Sequence, residues 1–335
     1  MLDITEYKGV WTLGEVRDEK ISPISYELLA WGRKLANALN VDLASVIMGK
    51  DVKNELNKLV HFGADVVYVV EHPKLEHFLP DVHARILEAL VKEFRPEIFI
   101  ASATTYGRTV MPILSAKLKT GLTADCTELN VDTQEKLLLQ TRPAIGGNVM
   151  ATIKTPLHRP QMATVRPKGK KPMKPNMTRT GKIIFKEYSE KMYESKYKWL
   201  SFERDKTSDL PIQEADVIIA GGKGIKDGKN FSMLYDLANI FGGSVGASRS
   251  AVDMGWIPYS HQVGLSGKTV SPRLYIAAGI SGAVQHVAGM SSSETVVAIN
   301  TDPDAPIFKV ADFGIVGNAL EILPVLLKKL SESKE

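Results

Sequence analysis

Apolar positions in the first half of the chain fall into short β-branched runs set about one helix apart, at residues 10–14, 43–48, 66–70 and 98–101. The stretches between them carry a helical period. Ser22-Pro23 opens an amphipathic helix through Leu39, with proline early in the helix, where its missing N–H is no loss. Residues 81–93 and 108–119 repeat that period. Continuous apolar strands alternating with amphipathic helices predict a parallel sheet covered on both faces. From Leu122 the pattern shifts to alternation. Residues 137–141, 149–153 and 161–165 predict an added antiparallel edge, and 183–185 one more strand.

Residues 188–209 are charged, rich in Tyr and Lys, and without a clean period, which predicts a linker. The strand–helix rhythm then resumes. An apolar run from Ala215 ends in Gly221-Gly222, and a helix comes next at 231–241. Further strands are predicted at 274–278, 295–299 and 307–310, and a closing helix at 318–330. The fold class is α/β with two doubly wound domains. Residues 1–187 form a Rossmann-like sheet with added antiparallel strands, and residues 210–335 form a second parallel-sheet domain.

Composition narrows the function classes. A length of 335 residues suits two domains, and 44% apolar with 24% charged residues is ordinary for a globular chain. A formal charge of +4 is too small to argue for nucleic acid by itself. No apolar run approaches the roughly 20 residues of a membrane span. The start, MLDITEYKGVW, is neither a signal peptide nor a transit sequence, so the expected location is cytoplasmic. The single Cys126 excludes an internal disulfide or a cysteine-ligated cluster; it reads as a buried structural thiol, with a redox role as the alternative. Seven histidines show no metal-ligand spacing, so no metal is expected. The basic stretch 166–179 reads as a solvated loop or a phosphate or RNA contact, but it lacks the interleaved aromatics of a single-strand binder.

Candidate chemistry concentrates after Val245. Val245-Gly246-Ala247-Ser248-Arg249, Gln262 to Lys268, Gly279 to His286 and Ala298-Ile299-Asn300 each come after an apolar run and mix glycine or small residues with hydrogen-bonding side chains. Glycine admits close backbone approach and positive φ, while Ser, Gln, Asn and Arg supply directional donors. Such clusters at the ends of successive strands describe a crevice for a large phosphorylated cofactor. Taken singly, each has a plainer reading. Gly279-Ile280-Ser281-Gly282 is a tight turn, or an anion site at a helix start with Ser281 as N-cap. Arg249 pairs with Asp253, or stabilises negative charge developing on a ligand. Ser266 is a turn residue or a ligand contact, and His286 a packed helix residue or a donor. In the first domain, Ser102 to Arg108 reads as a structural turn or an anion-binding one, and there is no GxxxxGK[ST] loop and no nucleophile–base pair.

Read in order, VGASRSAVDMGW, the segment from Gln262 to Val270, YIAAGISGAVQHVAGM and AINTDPDAPIFKVADFGIVGNA resemble the FAD-binding C-terminal domain of electron-transfer flavoprotein α subunits. The resemblance runs from Ala220 to the last helix almost without a gap; the first domain is similar with looser motifs. It implies one FAD in this chain and an electron carrier rather than a stand-alone enzyme. It implies that Lys223, where the family often has Arg, contacts phosphate or adenosine. Ser248 and Arg249 match the motif of the flavin-contacting arginine. Gln262, Val263, Gly264, Leu265 and Ser266 match the loop whose hydroxyl meets the flavin N5 edge. Ser281, Gly282, Ala283, Val284 and Gln285 fall to the pyrophosphate turn and the start of its helix, and His286 to the O2/N1 edge. Asn300 and Asn318 fall on the adenosine side, the family usually having Asp at the latter. Arg249, Ser266 and His286 would tune the flavin's potential.

The same resemblance implies a heterodimer with a β subunit that carries a second FAD or AMP, the first domain packing on that subunit. Acyl-CoA dehydrogenase or a similar flavoenzyme would be a redox partner, with ferredoxin or flavodoxin as further acceptors. Thr120 to Thr127 (TGLTADCT) and Arg142 to Asn148 (RPAIGGN) are similar to α subunits of anaerobes that take electrons from NADH and split them between two acceptors. They are also similar to relatives linked to nitrogen fixation. Flavin-based electron bifurcation is therefore the expectation. A non-bifurcating carrier, an FAD- or NAD-dependent oxidoreductase on the same fold, and a cofactor-free scaffold are the alternatives.

Overall fold

Seven parallel strands form the first sheet, in the order Lys182–Phe185, Val66–Glu71, Leu43–Gly49, Val10–Leu13, Ile98–Ser102, Gln161–Val165, Leu122–Cys126. This computed structural model describes residues 4–144, 149–201 and 211–332. The described residues divide into two compact units, one of residues 4–144 with 150–201 and the other of residues 211–332. The central strands are buried at every position because helices cover both faces. On one face the helix Ile24–Leu39 packs Leu28, Leu29 and Leu35 with Val10, Ile47 and Ile100. On the other, Pro80–Phe94 and Thr105–Leu118 pack Ile86, Leu87, Met111 and Leu114 with Trp11, Leu13 and Phe99.

The antiparallel addition is made of Glu128–Asp132, Leu137–Pro143 and Met150–Ile153. Gln161–Val165, expected beside them, is instead a buried parallel strand inside the main sheet. Its polar residues mimic a half-exposed strand, yet each is satisfied internally. Gln161 Oε1 accepts from Leu138 N at 2.7 Å, Gln161 Nε2 donates to Lys136 O at 3.1 Å, and Thr164 Oγ1 accepts from Asp125 N at 3.0 Å. Burying a hydrogen-bonded polar group costs little, so alternation in sequence did not mean alternation in exposure.

Of the segment expected to link the domains, residues 188–201 lie in the first unit, and 202–209 lie outside the described residues. Arg85 Nη1 donates to the carbonyls of Met192 at 3.0 Å and Glu194 at 2.7 Å, Ser195 Oγ donates to Asp81, and Tyr193 stacks on His72. The basic loop folds back on the first helix: Lys170 lies over the Trp31 ring and Lys168 N donates to Glu27. Cys126 is buried, which pushes its thiol up to about 12. The turn at 102–108 is closed by protein groups. Thr104 Oγ1 caps Gly107 N at 3.2 Å and donates to Glu15 Oε1 at 2.5 Å, so a carboxyl group stands where an anion would bind.

The second unit is a five-stranded parallel sheet in the order Ser244–Ala247, Val217–Gly221, Leu274–Ala278, Thr295–Asn300, Phe313–Val316. Residues 307–310, expected as a strand, belong to a 3₁₀ helix, Pro306–Val310. Proline at its first position and Ile307 N bonded to Ser281 O at 3.0 Å turn the chain before it can pair. The strand comes later, at Phe313–Val316. Helices Phe231–Phe241 and Ala319–Glu332 cover one face through Leu234, Leu237, Ala319 and Leu323. Loop 262–270 and the helix Val284–Met290 cover the other, where Val263, Val270 and Met290 pack with Tyr275 of the sheet. No helix among the described residues is long and apolar enough to cross a membrane. Among the same residues no group of three or more His, Cys, Asp or Glu is placed to hold a metal.

Candidate functional site

Strand order in the second unit reverses between Val217–Gly221 and Leu274–Ala278, since the chain leaves the first of these in one direction and the second in the other. Doubly wound sheets bind ligands at the carboxyl edge of such a point, where diverging connections leave a crevice. The glycines at 221–224, 264–267 and 279–282 lie beside strand ends on that edge, whereas Gly242-Gly243 precedes Ser244–Ala247 at the amino edge. Main-chain bonds tie the turns together in sequence across the sheet. Ser248 N donates to Gly221 O, Gly222 N to Ala278 O, Gly224 N to Gly279 O, Gly279 N to Ile299 O, and Gly317 N to Asn300 O, all between 2.8 and 3.0 Å.

The approach at the reversal point requires glycine. A Cβ on Gly222 would lie 2.3 Å from Gly279 O, and one on Gly224 would lie 2.7 Å from Gly279 Cα. Gly279 itself has φ +63. Lys223, between the first two, is exposed in a 3₁₀ turn.

The loop from Gln262 to Lys268 docks beside Ser248. Val263 N donates to Ala247 O at 2.9 Å, and Leu265 N to Gln285 O at 2.8 Å, so one loop is fixed to both a strand end and the helix Val284–Met290. Gly264 is buried with φ +144, its Cα against Gly289. Ser266 is held at both ends: Gln262 Nε2 donates to its Oγ at 3.0 Å, and Tyr259 Oη donates to its carbonyl at 2.7 Å. Leu265 beside it is exposed.

Arg249 opens the short helix Arg249–Asp253 and is exposed, its Nε 3.3 Å from Asp253 Oδ2. Ser248 Oγ is buried and has no hydrogen-bond partner among the described residues. His286 is buried, and Tyr275 Oη lies 2.9 Å from its Nε2. Burial pushes the imidazole down to about 4, so the ring is neutral at pH 7. Ser281 is not an N-cap: the helix begins at Val284, Ala283 precedes it, and no side chain caps it. Ser281, Ala283, Val284 and Gln285 are exposed and Gly282 is buried with φ +86 against Ile307. Asn300 Nδ2 donates to Ile280 O and its Oδ1 accepts from Asp302 N, so both ends of that amide build the turn. Asn318 Oδ1 accepts from Leu320 N and its Nδ2 donates to Glu321. A cavity of about 480 Å³ lies at the opposite, amino edge, among Asp216, Phe241, Arg273 and Glu294, away from all of these groups.

Residues 10–190 match the family model described as electron transfer flavoprotein domain, and residues 211–291 the one described as electron transfer flavoprotein FAD-binding domain. The chain belongs to the electron transfer flavoprotein α-subunit family. It is 46% identical to electron transfer flavoprotein subunit alpha of Thermoanaerobacterium thermosaccharolyticum, over 99% of this chain and 100% of that one. It is 43% identical to protein FixB of Clostridium saccharobutylicum, over 99% and 98% of the two chains. It is 36% identical to acryloyl-CoA reductase electron transfer subunit beta of Anaerotignum propionicum, over 99% and 98%.

The residues present fit FAD, the cofactor this family implies. Gly222, Gly224 and Gly279 let two turns pack backbone to backbone at the reversal point, where a doubly wound sheet takes its ligand. Ser248 Oγ and His286 Nδ1 are buried polar atoms without a hydrogen-bond partner among the described residues, Ser248 directly after the strand end at Ala247 and His286 in the helix to which loop 262–268 is tied. Sequence reasoning missed Tyr275. It lies inside an apolar strand, and nothing in that strand's pattern marks its hydroxyl as the partner of a histidine on a helix.

Proposed function

We propose that this chain holds one FAD at the carboxyl edge of its second sheet and passes electrons between protein partners as the α subunit of a cytoplasmic heterodimer. The observation that carries this reading is the unbroken seam of five turns at the strand reversal, floored by glycines and flanked by the unpartnered Ser248 hydroxyl. Bound FAD supplies one- and two-electron redox chemistry at its isoalloxazine ring. The protein's part is to bind, orient and bias. The turns built by Gly222, Gly224 and Gly279 would hold the pyrophosphate, and Lys223 beside them would supply positive charge. Ser248 and Ser266 supply hydroxyl hydrogen bonds along the flavin, and the Gln262 and Tyr259 contacts hold Ser266 in place. Arg249 favours negative charge on the ring, and Asp253 limits how strongly.

The β subunit would carry a second FAD or AMP. Similarity to a FixB protein and to an acryloyl-CoA reductase electron transfer subunit supports a bifurcating complex. In such a complex NADH would be the donor on the β-subunit side, and this chain would pass electrons to an acyl-CoA dehydrogenase or similar flavoenzyme while ferredoxin or flavodoxin served as the other acceptor. Purified heterodimer should show flavin bands, two FAD per complex, and NADH oxidation that requires both acceptors. One FAD with AMP and no NADH oxidation would favour the non-bifurcating carrier. A complex that retains no flavin would overturn the reading.

A further inference from the structure

We propose that Tyr275 is a positioning residue that holds His286 in the tautomer protonated on Nδ1, so that the ring presents its N–H toward loop 262–266 and the cofactor there. This rests on the FAD reading of the crevice, and it adds a residue behind the wall rather than in it.

Tyr275 sits in the strand Leu274–Ala278 and is 0% exposed, and His286 is 6% exposed. Tyr275 Oη lies 2.9 Å from His286 Nε2, and the Tyr275 hydroxyl makes no other hydrogen bond among the described residues. A phenol carries one proton and a neutral imidazole one N–H. If Tyr275 donates to Nε2, the imidazole proton must sit on Nδ1, and one donor is left for a further partner. If His286 donates from Nε2 instead, the phenol hydrogen is buried without an acceptor and Nδ1 is left as a bare lone pair. The second arrangement strands two buried groups where the first strands one, and a buried polar group without a partner is costly. Tyr275 is available as the donor because burial raises its pKa well above the ordinary tyrosine value, keeping it protonated.

The freed Nδ1 has the right surroundings. The Val263 backbone lies beside the ring and opposes the effect of burial on it. Gly264 packs on the His286 backbone, so nothing larger than a glycine separates the helix from the loop that carries Ser266. The neutral ring can therefore act only as a single, fixed N–H donor. The tautomer of a histidine is set by the bond its other nitrogen makes, and here that bond comes from the core of the sheet.

The test uses full-length chain with its partner subunit, labelled with ¹⁵N-histidine, with and without added FAD. The His286 signals are assigned by their loss in His286→Gln. Cofactor-free wild type should show Nδ1 as the protonated nitrogen, favoured by at least about tenfold. In Tyr275→Phe, which removes one oxygen, that ratio should fall to within about threefold, the loss of roughly one hydrogen bond. With FAD bound, the same variant should have a lower one-electron potential, by about 59 mV for a tenfold change in the reduction equilibrium. A wild-type ring protonated on Nε2 would overturn the proposal without any variant. So would a Tyr275→Phe protein that loses stability but keeps both tautomer ratio and potential, since Tyr275 would then be only packing. Flavin absorbance of the wild-type complex separates the two ideas: no bound flavin defeats the FAD reading, whereas the cofactor-free tautomer measurement decides the role of Tyr275 by itself.

Discussion

Replacing Gly279 by alanine tests the reversal-point seam directly, because a second glycine in the same unit isolates one of its two costs. Gly279 and Gly242 have nearly the same backbone, φ +63 and +61. An alanine at either costs about 1–2 kcal/mol for a left-handed conformation, offset by up to about 1 kcal/mol from a stiffer unfolded chain. Their surroundings differ. A Cβ on Gly242 has nothing within 4 Å, whereas one on Gly279 would lie 2.7 Å from Gly224 Cα and 2.8 Å from Gly224 C. Those atoms are backbone and cannot rotate away, so the seam itself must part. Overpacking of this kind costs about 1–3 kcal/mol. Gly279→Ala should therefore be less stable than Gly242→Ala by about 1–3 kcal/mol in denaturant unfolding of the second unit. It should also lose FAD on gel filtration under conditions where Gly242→Ala keeps it, because the parted turns floor the crevice. Equal loss of stability with equal FAD retention would refute the claim that this close approach forms the cofactor site.

Three further outcomes concern the site and the first unit. Arg249→Ala should bind FAD and lower its reduction potential, but by the equivalent of no more than about 1 kcal/mol, because the guanidinium is 71% exposed and paired with Asp253; potentiometric titration with unchanged potentials would remove it from the redox role. Ser266→Ala should keep FAD and shift its spectrum and potentials by about 1 kcal/mol, the worth of one hydrogen bond, whereas loss of FAD with normal potentials would make Ser266 an anchor instead. In the first unit, burial raises the Glu15 carboxyl from 4.5 to about 7, against the lowering effect of Thr104. Its stabilisation is therefore complete below pH 4.5 and is lost as pH rises through 7, at up to about 1.4 kcal/mol per pH unit. Urea midpoints of wild type should fall relative to Glu15→Gln between about pH 5 and 8, and parallel curves would show that the carboxyl ionises freely.

The strand–helix rhythm was legible because both sheets are parallel and covered on both faces. Their strands then read as unbroken apolar runs, such as those at Leu43–Gly49 and Leu274–Ala278. Family membership was legible too, since the glycine and donor clusters that build the carboxyl edge are local in sequence. Other features depended on partners far along the chain. Gln161 looked like an edge residue until Leu138 and Lys136 satisfied its amide. Residues 307–310 looked like a strand until Ile307 was tied to the Ser281 turn. Ser281 looked like a helix cap, but the helix starts three residues later. His286 read as a packed helix residue or a donor, and nothing local showed that it is buried and neutral with its Nε2 engaged by a tyrosine on the neighbouring strand. Periodicity and turn chemistry are carried by adjacent residues and survive in the sequence. Desolvation and hydrogen-bond pairing between distant residues exist only once the sheet has brought those residues together.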